Sequence, residues 1–422
     1  MAFFSGFMMI SIPVAHIQND FVECIEDIKT SKLVEEKFFI NVDISLDEVK
    51  EYRVNIKDGG NNFVVTERGT FEKVNGQPID TLYRAKLGDD SFQFFSPTRK
   101  YSQISDNKDV EINWTTIDAI EFPENRYALG DAQGNIKIYD SKFNLEREID
   151  NAHKQELTLT KFFPSGEVLL SGSTDMQLKL WSLKDGFNLR TLMGHTSKIT
   201  SAAMIDRGRN IISSSTDGTL RLWECGSGTT IKKFFRKEKP TDPIYDISLI
   251  VNDDMEVEEG IENPLEFGTN GKQIVASHES GVITVHDLFT KEQLLQFPSL
   301  YMISCNSVTS NTNNKNYLYS GYQDGSVAQW DIRSSHRPVN EFSINHGIPI
   351  NELYYYNNYL YVSSGNDTSL RLQVDSATGE IDGNLPTFLS NDDCFISQFV
   401  KKPNGISEGV IAVGYREFCV EY

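Results

Sequence analysis

The chain has 422 residues, and its 39% hydrophobic content is enough for one large folded domain, or for a medium domain with a small one, which excludes a largely disordered chain. Its 60 acidic and 40 basic residues give a formal net charge of -20. That charge repels a phosphate backbone, so the composition disfavours nucleic acid as a partner and favours a basic protein surface.

The first fifteen residues are apolar, which raises the question of a secretory signal, but they contain no Lys or Arg, and the first cation is Lys29. Secretion is therefore disfavoured. No later stretch of about 20 apolar residues occurs, so we expect no membrane span. The five cysteines are odd in number, far apart and without metal-ligand spacing, which is typical of reduced thiols in the cytosol or nucleus.

Short segments that alternate apolar and polar residues occupy the region before residue 97, as half-buried strands do. They predict a small, mainly β domain that ends near Ser96-Pro97. The pattern of Asp20 to Lys32 fits either a short helix or a strand followed by an acidic loop. The predicted strands are Lys37 to Asp43, Val49 to Ile56, Phe63 to Glu67, Thr70 to Val74 and Thr81 to Leu87.

An internal repeat organises the rest of the chain. Leu170 to Ser182 and Ile212 to Glu224 match at a period of 42 residues, and Tyr319 to Asp331 is a third copy. Weaker copies begin at Leu129, Val275 and Val362, and each copy predicts two strands joined by a turn. The turn positions of the six copies are Gln133, Asp175, Asp217, Ser280, Asp324 and Asp367, with gaps of 42, 42, 63, 44 and 43.

The one irregular gap contains an acidic insertion at residues 252–270, in which Asn252 to Asn263 hold six acidic residues and no basic one. Ile411 to Glu417 resembles the start of a seventh repeat, but the chain stops too early to supply its fourth strand. A closed ring leaves no exposed sheet edge, so we predict a seven-bladed β-propeller whose last blade is completed by a strand within Tyr101 to Trp114. A six-bladed ring is the less favoured arrangement.

Two repeats carry the same four residues at matching offsets, and these are typical of a WD repeat. They are His153, Ser171, Asp175 and Trp181, and His195, Ser213, Asp217 and Trp223. The histidine is expected to bridge the turn aspartate to the strand serine, which in turn reaches the indole N–H. A Ser-His-Asp catalytic set looks similar, but a catalytic triad occurs once per active site, whereas this pattern recurs with the repeat, so it indicates a structural role.

The other repeats are incomplete. Asp324 and Trp330 have no histidine, because Met302 stands at that offset; His346, Ser363 and Asp367 have no tryptophan, because Gln373 stands there. His278 and His286 lie on predicted neighbouring strands without a third ligand, so we expect no metal site and no cofactor. No nucleotide-binding, metalloprotease or hydrolase motif is present, and we expect no catalytic activity.

Beyond the repeat pattern, the chain resembles the proteasomal ATPase-associated WD-repeat factors, fungal-type assembly chaperones of the proteasome regulatory particle. The stretches that carry the likeness are Val14 to Phe21, Phe38 to Asp43, Phe162 to Glu167, Ile205 to Asn210, Asp217 to Ile231, Ser280 to Gln293 and Pro386 to Asp393. The likeness begins near residue 14 and leaves an extension at 1–13. With the boundary near Pro97 given by the sequence pattern, we expect a small mainly β domain at 14–97 and the all-β WD-repeat propeller at 98–422.

The resemblance implies a cytoplasmic, and also nuclear, protein that is a monomer when free and that binds the C-terminal domain of an ATPase subunit of the regulatory particle during assembly. The loops that enter each blade lie on one propeller face, opposite the acidic insertion. The candidate contacts on that face are Asp392, Asp393, Asp242, Glu279 and Glu352. Asp392 and Asp393 are the strongest candidates, because they lie in a matching stretch just before the last blade.

Four further functions are compatible with a WD-repeat propeller. Trp330-Asp331-Ile332-Arg333 fits the short WDxR pattern of the substrate receptors of cullin-RING ubiquitin ligases, although Trp-Asp is also the repeat's own ending. Another WD-repeat adaptor is a further alternative. An enzyme that uses the central channel would need converging carboxylates or a metal cluster, and the sequence shows neither. A histone-tail reader would need an aromatic cage; Tyr322 and Tyr415 stand at similar repeat positions, but tyrosines on strands are usually packing residues.

Overall fold

The computed structural model describes residues 10–45, 48–57, 69–74, 81–101, 112–252, 263–300, 302–344, 347–403 and 409–422. The predicted strand at 63–67, His346 and the acidic residues at 253–262 lie outside this described part. The prediction of an all-β propeller is confirmed, because seven four-stranded antiparallel units follow one another along the chain.

The N-terminal region combines one helix with strands of 3 to 11 residues. Its elements are β1 (Ile10–Ile12), β2 (Val14–Ile17), α1 (Phe21–Lys29), β3 (Glu35–Ser45), β4 (Glu48–Lys57), β5 (Gly69–Lys73), β6 (Leu82–Leu87) and β7 (Asp90–Phe95). The segment whose pattern fitted a helix or a strand is the helix α1, and it buries Phe21, Ile25 and Ile28, which recur at helical spacing on one face.

Four strands build each blade, and the first of them in the chain is innermost in blades one to six. Blade one contains β9 (Trp114–Ile120), β10 (Arg126–Asp131), β11 (Ile136–Asp140) and β12 (Leu145–Ile149); blade two β13 (Leu157–Phe162), β14 (Val168–Ser173), β15 (Leu178–Ser182) and β16 (Asn188–Leu192); blade three β17 (Ile199–Ile205), β18 (Asn210–Ser215), β19 (Thr219–Glu224) and β20 (Thr229–Phe235); blade four β21 (Ile244–Val251), β22 (Lys272–His278), β23 (Ile283–Asp287) and β24 (Gln293–Phe297).

The remaining blades follow the same plan. Blade five contains β25 (Cys305–Ser310), β26 (Tyr317–Tyr322), β27 (Ser326–Asp331) and β28 (Asn340–Ile344); blade six β29 (Ile350–Tyr356), β30 (Tyr359–Ser364), β31 (Thr368–Val374) and β32 (Ile381–Leu389); blade seven β33 (Ile396–Lys401), β34 (Val410–Gly414), β35 (Cys419–Glu421) and, from the start of the propeller, β8 (Arg99–Lys100).

The ring closes through β8, and here the predicted position was wrong. The closing strand is Arg99–Lys100, just before the predicted window of Tyr101 to Trp114, and it pairs antiparallel with β35. Trp114, at the end of that window, instead begins the innermost strand of blade one. Two-residue polar strands leave no alternation to detect, so the sequence pattern had no means of locating β8.

Side chains of the innermost strands form hydrogen bonds between neighbouring blades. Asp118 Oδ2 accepts the N–H of Phe162 at 2.7 Å, and Asp246 Oδ2 accepts the N–H of Val308 at 3.0 Å. Between the last and the first blade, Gln398 Oε1 accepts the N–H of Ile117 at 2.8 Å. Because these bonds satisfy polar groups in the channel wall, they stabilise the closed ring.

The N-terminal region packs against blades five and six. Strand β1 pairs in parallel with β28, and β7 pairs in parallel with β32, so that β5, β6 and β7 extend the sheet of blade six. Phe388 of β32 lies between Phe92 and Phe94 of β7, with ring centroids 6.4 and 6.1 Å apart. The hydrophobic core is therefore continuous from the N-terminal region into the propeller.

The two faces of the propeller carry different connections. We call the entry face the one at which each innermost strand begins and at which the second and third strands of a blade are joined. The exit face is the opposite one. The acidic insertion connects β21 to β22 and therefore emerges on the exit face.

Candidate functional site

In blades two and three, a histidine, a serine, an aspartate and a tryptophan form a hydrogen-bonded set that we call a brace. Each brace attaches the entry-face loop to its blade. His195 Nδ1 lies 2.9 Å from Asp217 Oδ2, its Nε2 lies 2.8 Å from Ser213 Oγ, and Trp223 Nε1 donates to Ser213 Oγ at 2.9 Å. In blade two, His153 lies 3.0 Å from Asp175 and 2.7 Å from Ser171, to which Trp181 donates at 2.8 Å.

Burial decides what these braces do. Ser171 and Ser213 are both 0% exposed, so no substrate reaches either hydroxyl. Burial lowers the pKa of His195, although the neighbouring Asp217 opposes that shift, and the ring is neutral at pH 7. A neutral ring donates from Nδ1 to Asp217 and accepts the Ser213 hydroxyl at Nε2, which pairs every buried polar group of the set.

Blade five builds the same brace without a histidine. Trp330 Nε1 donates to Ser320 Oγ at 2.8 Å, and Ser320 Oγ donates to the hydroxyl of Tyr322 at 3.2 Å. Met302, which stands at the histidine offset, is 93% exposed. Tyr322 is buried at 1% exposure, so it does not form an aromatic cage with the exposed Tyr415, which instead lies against Phe395.

Asp242, one of the predicted contacts, is buried in blade four. Its carboxylate pairs with Arg236 at 2.7 Å and with Lys239 at 3.0 Å, and Ser280 at the turn position donates to it at 2.5 Å. In blades two and three the acid of the brace stands on the turn, whereas in blade four the acid stands on the entering loop and a hydroxyl stands on the turn. Asp242 is 0% exposed, and this burial disfavours it as a contact with a partner.

His278 and His286 share one hydroxyl. Their Nε2 atoms lie 3.0 and 3.1 Å from Oγ1 of Thr284. Burial lowers the pKa of His278 to about 4 and that of His286 to about 3, so both rings are neutral at pH 7. Within the described ranges, no group of three or more His, Cys, Asp or Glu side chains has an arrangement that could hold a metal ion.

Glu352, another predicted contact, lies on the innermost strand of blade six. Burial, together with the charge of Asp246, raises the pKa of its carboxyl well above the ordinary value, and Lys161 opposes this shift. The side chain is only partly accessible, and its surroundings favour the neutral acid. This setting suits Glu352 to a place in the channel wall more than to a contact with a basic surface.

Asp392 and Asp393 lie together on the loop between β32 and β33, on the entry face. Asp392 pairs with Lys100 of β8 at 2.8 Å, and Asp393 accepts a hydrogen bond from Asn19 of the N-terminal region at 3.1 Å. Both have left-handed backbones, with φ of 54° and 52°, which side-chain-bearing residues adopt at a cost. The loop is thus held in one conformation with the Asp393 carboxylate exposed.

Glu279 completes the set of predicted contacts. It lies in the turn between β22 and β23, also on the entry face, and its side chain is exposed. The hydroxyl of Tyr245 donates to its Oε1 at 3.4 Å. Of the five predicted carboxylates, Asp393 and Glu279 are exposed, Asp392 and Glu352 are exposed in part, and Asp242 is buried and paired inside the propeller.

Comparison with known proteins places this geometry in a family. Over 420 residues the chain is 46% identical to the 26S proteasome regulatory subunit RPN14 of Saccharomyces cerevisiae, and the match covers 98% of both chains. The chain belongs to the RPN14 family. The family model of the WD domain, G-beta repeat, matches residues 147–182 and 186–224 of this chain, and these ranges include all eight residues of the two complete braces.

Solved structures share the fold of this RPN14-family chain. A crystal structure of RRP9 WD40 repeats and a structure of U3-55K each superpose with a TM-score of 0.59 at 15% identity, covering 76% of this chain and 96% and 97% of theirs. Identity this low shows the propeller fold alone.

A shorter match concerns a ubiquitin ligase. The E3 ubiquitin-protein ligase COP1 of Arabidopsis thaliana is 33% identical over 90 residues, which is 21% of this chain and 13% of that protein. In the WDxR segment, Arg333 pairs with Asp331 at 2.7 Å, and its side chain is 60% exposed on the exit face.

In the described part of this RPN14-family chain, no helix has the length and hydropathy that a membrane span needs.

Proposed function

We propose that this chain is a non-catalytic protein-binding scaffold for assembly of the proteasome regulatory particle, and that its entry face binds the C-terminal domain of an ATPase subunit. The observation that carries the proposal is the 46% identity to RPN14 over nearly the whole chain. Work at the regulatory particle implies a cytoplasmic and nuclear protein, and we propose that it is a monomer when free.

The buried braces support a scaffold over an enzyme. The Ser-His-Asp sets have buried hydroxyls, and they recur in two blades as packing devices do. A rigid ring of blades is well suited to hold exposed groups at fixed positions.

Charge supports a basic partner. At a net charge of -20 the chain attracts cationic surfaces, and on the entry face Asp392, Asp393 and Glu279 offer carboxylates to them. Attraction of this kind mainly raises the rate of association and weakens as salt screens the charges. We therefore propose these three residues as steering contacts, with Asp393 the most accessible of the adjacent pair.

The test is a charge reversal with a matched control. In the full chain, Asp392→Lys with Asp393→Lys should weaken binding of the ATPase C-terminal domain by about a hundredfold, in isothermal calorimetry at low salt. Asp392→Asn with Asp393→Asn should give a smaller loss in the same direction. The control, Glu124→Lys with Glu167→Lys, makes the same change of net charge on exit-face loops and should bind normally.

Thermal unfolding of each variant establishes that the fold is retained, since Asp392 also pairs with Lys100. Normal binding by the folded lysine variant would remove the two aspartates from the proposed contact surface. Failure of the unaltered chain to bind the C-terminal domain of any regulatory-particle ATPase would remove the proposal as a whole.

A substrate receptor of a cullin-RING ligase is the second candidate. It is favoured by the exposed Arg333 at the end of the WDxR segment and by the short match to COP1. Affinity purification of the full chain from cells, followed by mass spectrometry, separates the two functions. Proteasome ATPases among the dominant partners support the first proposal, and ligase adaptor subunits in their place support the second.

A further inference from the structure

A basic surface lies at the outer strands of blades two and three, in a chain whose net charge is -20. Residues 184–239, which contain β16 and β20, hold eleven basic and five acidic residues. We call the basic rim the surface formed by Arg190, Met193, Arg221, Lys233 and Phe235. All of these except Arg221 are exposed. The basic rim therefore combines cations with apolar side chains that reach solvent.

Blade three supplies one wall of the basic rim. Lys233 pairs with Arg221 across β19 and β20, and Phe235 lies two residues further along β20. Because side chains alternate along a strand, all three lie on the same side of the sheet. That side carries Trp223, which packs in one hydrophobic cluster with leucines of blade two. The cations of blade three therefore face the neighbouring blade.

Blade two supplies the opposite wall. Arg190 of β16 donates to the carbonyl oxygen of Gly226 in blade three at 2.5 Å. Met193 follows β16 and is 71% exposed. The next residue, Gly194, lies so close to Arg221 that an added Cβ would collide with its Nη1. The two walls are thus held against each other before any partner arrives, which reduces the entropy lost on binding.

Arg221 is a buried cation that lacks a partner within the described ranges. The residue is 6% exposed, and its Nε is enclosed without a hydrogen-bond acceptor. Its two Nη atoms are not enclosed, and in the part of the chain that the structure describes they form neither a hydrogen bond nor an ion pair. A buried polar group without a partner costs free energy, and an incoming anion would recover it.

The corresponding cation of blade two has its acceptor within the chain. Lys179 stands one 42-residue repeat before Arg221, and its Nζ donates to the backbone oxygen of Ala152 at 2.6 Å. The charge of Asp217 acts on Arg221, but the Asp217 carboxylate is bound by the ring of His195. The guanidinium of Arg221 is therefore the group of the basic rim best placed to receive an anion.

We propose that the basic rim binds an acidic segment of a protein partner, with one carboxylate on the guanidinium of Arg221 and a second on the ammonium group of Lys233. A guanidinium suits this role because its fork of N–H groups matches a carboxylate. Met193 and Phe235 offer apolar surface to the aliphatic parts of the segment.

The net charge of -20 opposes an acidic partner at long range. Salt at cellular strength screens charges beyond about 8 Å, so the cations in contact with the segment decide whether it stays bound. This inference goes beyond the proposed function, because that function uses carboxylates of the entry face, whereas the basic rim uses cations of two outer strands.

The test uses a short synthetic peptide in which glutamates alternate with leucine and serine. In fluorescence anisotropy with the full chain at about 0.15 M salt, it should bind with a Kd below about 1 mM. The same peptide with glutamine in place of every glutamate should not bind. Arg221→Met and Lys233→Glu should each raise the Kd of the glutamate peptide about tenfold or more.

Each variant has a matched control. Lys142→Glu makes the same charge change as Lys233→Glu, at an exposed position between β11 and β12, and should keep the Kd within about twofold. Lys179→Met removes the corresponding cation of blade two and should bind the peptide as the unaltered chain does. Because Lys233 is exposed, its variant keeps the test decisive even if thermal unfolding shows that Arg221→Met does not fold.

A photoreactive group on the peptide locates the contact. It should couple to segments 190–194 and 231–235. The proposal is overturned if the unaltered chain does not bind the glutamate peptide, if Lys233→Glu and Lys142→Glu bind it equally well, or if coupling occurs only elsewhere. Binding of the ATPase C-terminal domain is measured separately, so failure of this proposal leaves the proposed function standing.

Discussion

Removing one brace histidine should lower stability without touching the partner surface. In His195→Ala, the bonds to Asp217 and Ser213 are lost, and each contributes about 1 kcal/mol net. The His195 side chain is 1% exposed and its ring packs edge-on against Trp223, so its deletion also leaves a small cavity. Together these losses amount to about 3 kcal/mol.

Part of the brace survives the substitution. Asp217 still accepts hydrogen bonds from the N–H groups of Thr196 and Thr219, and Ser213 still accepts the indole N–H of Trp223. Burial by itself would raise the pKa of Asp217, but its hydrogen bonds hold that pKa below the ordinary value. The hydrogen bond from His195 is the largest of these and is lost in the variant, but the bonds from Thr219 and from the N–H of Thr196 remain and favour the charged carboxylate at pH 7.

The assay is thermal unfolding, monitored by scanning calorimetry or by dye binding. A loss of about 3 kcal/mol in a chain of this length should lower the midpoint by roughly 3–6 °C. His153→Ala should behave alike, because blade two has the same geometry. His336→Ala, at an exposed loop position, should change the midpoint by less than about 1 °C. A midpoint for His195→Ala equal to that of His336→Ala would refute the bracing role.

Three further changes test other parts of the structure. Tyr322→Phe should lower the free energy of unfolding by about 1 kcal/mol, because the hydrogen bond from the Ser320 hydroxyl to the tyrosine hydroxyl is lost, whereas Tyr415→Phe should be neutral. Because the pKa of Glu352 is raised, the native chain binds more protons than the unfolded chain above about pH 4, and stability falls as pH rises through that window. Glu352→Gln removes this titration. From about pH 4 to about pH 8, the unfolding free energy of the variant should therefore rise by on the order of 1 kcal/mol relative to that of the unaltered chain, as measured by thermal midpoints of both chains at the two pH values. Phe388→Ala should lower the free energy of unfolding by about 3–4 kcal/mol, with the earliest loss of amide protection in β5 to β7; protection lost evenly would contradict the shared core.

The blades could be predicted because their determinants are local. A turn between two strands, an aspartate in the turn and a tryptophan at the end of the third strand recur at a nearly constant spacing, and each follows from the packing within one blade. The glycine in the second strand of a blade also follows from local packing, against the innermost strands. A Cβ on Gly172 or Gly321 would lie within 3.0 Å of a side chain of the innermost strands, Leu159 or Ile350.

The contacts between distant segments left no such signal. The parallel pairing of β7 with β32 joins residues almost three hundred positions apart, and β8 has two polar residues. Asp242 looked like an exposed loop acid, because nothing in its spacing shows that Arg236 folds back onto it. Blade five replaces the missing histidine with the hydroxyl of Tyr322, which lies two residues after Ser320 on the same strand. That tyrosine was the one sequence feature that could have indicated the replacement.

The central claim is that the entry face binds the partner, and hydrogen–deuterium exchange of the full chain with and without the ATPase C-terminal domain tests it most directly. We predict that binding protects the backbone amides of entry-face segments 302–306 and 390–395, together with the N-terminal segment 15–20. The exit-face segments 206–210 and 265–271 should exchange as in the free chain. Protection confined to those exit-face segments would contradict the claim.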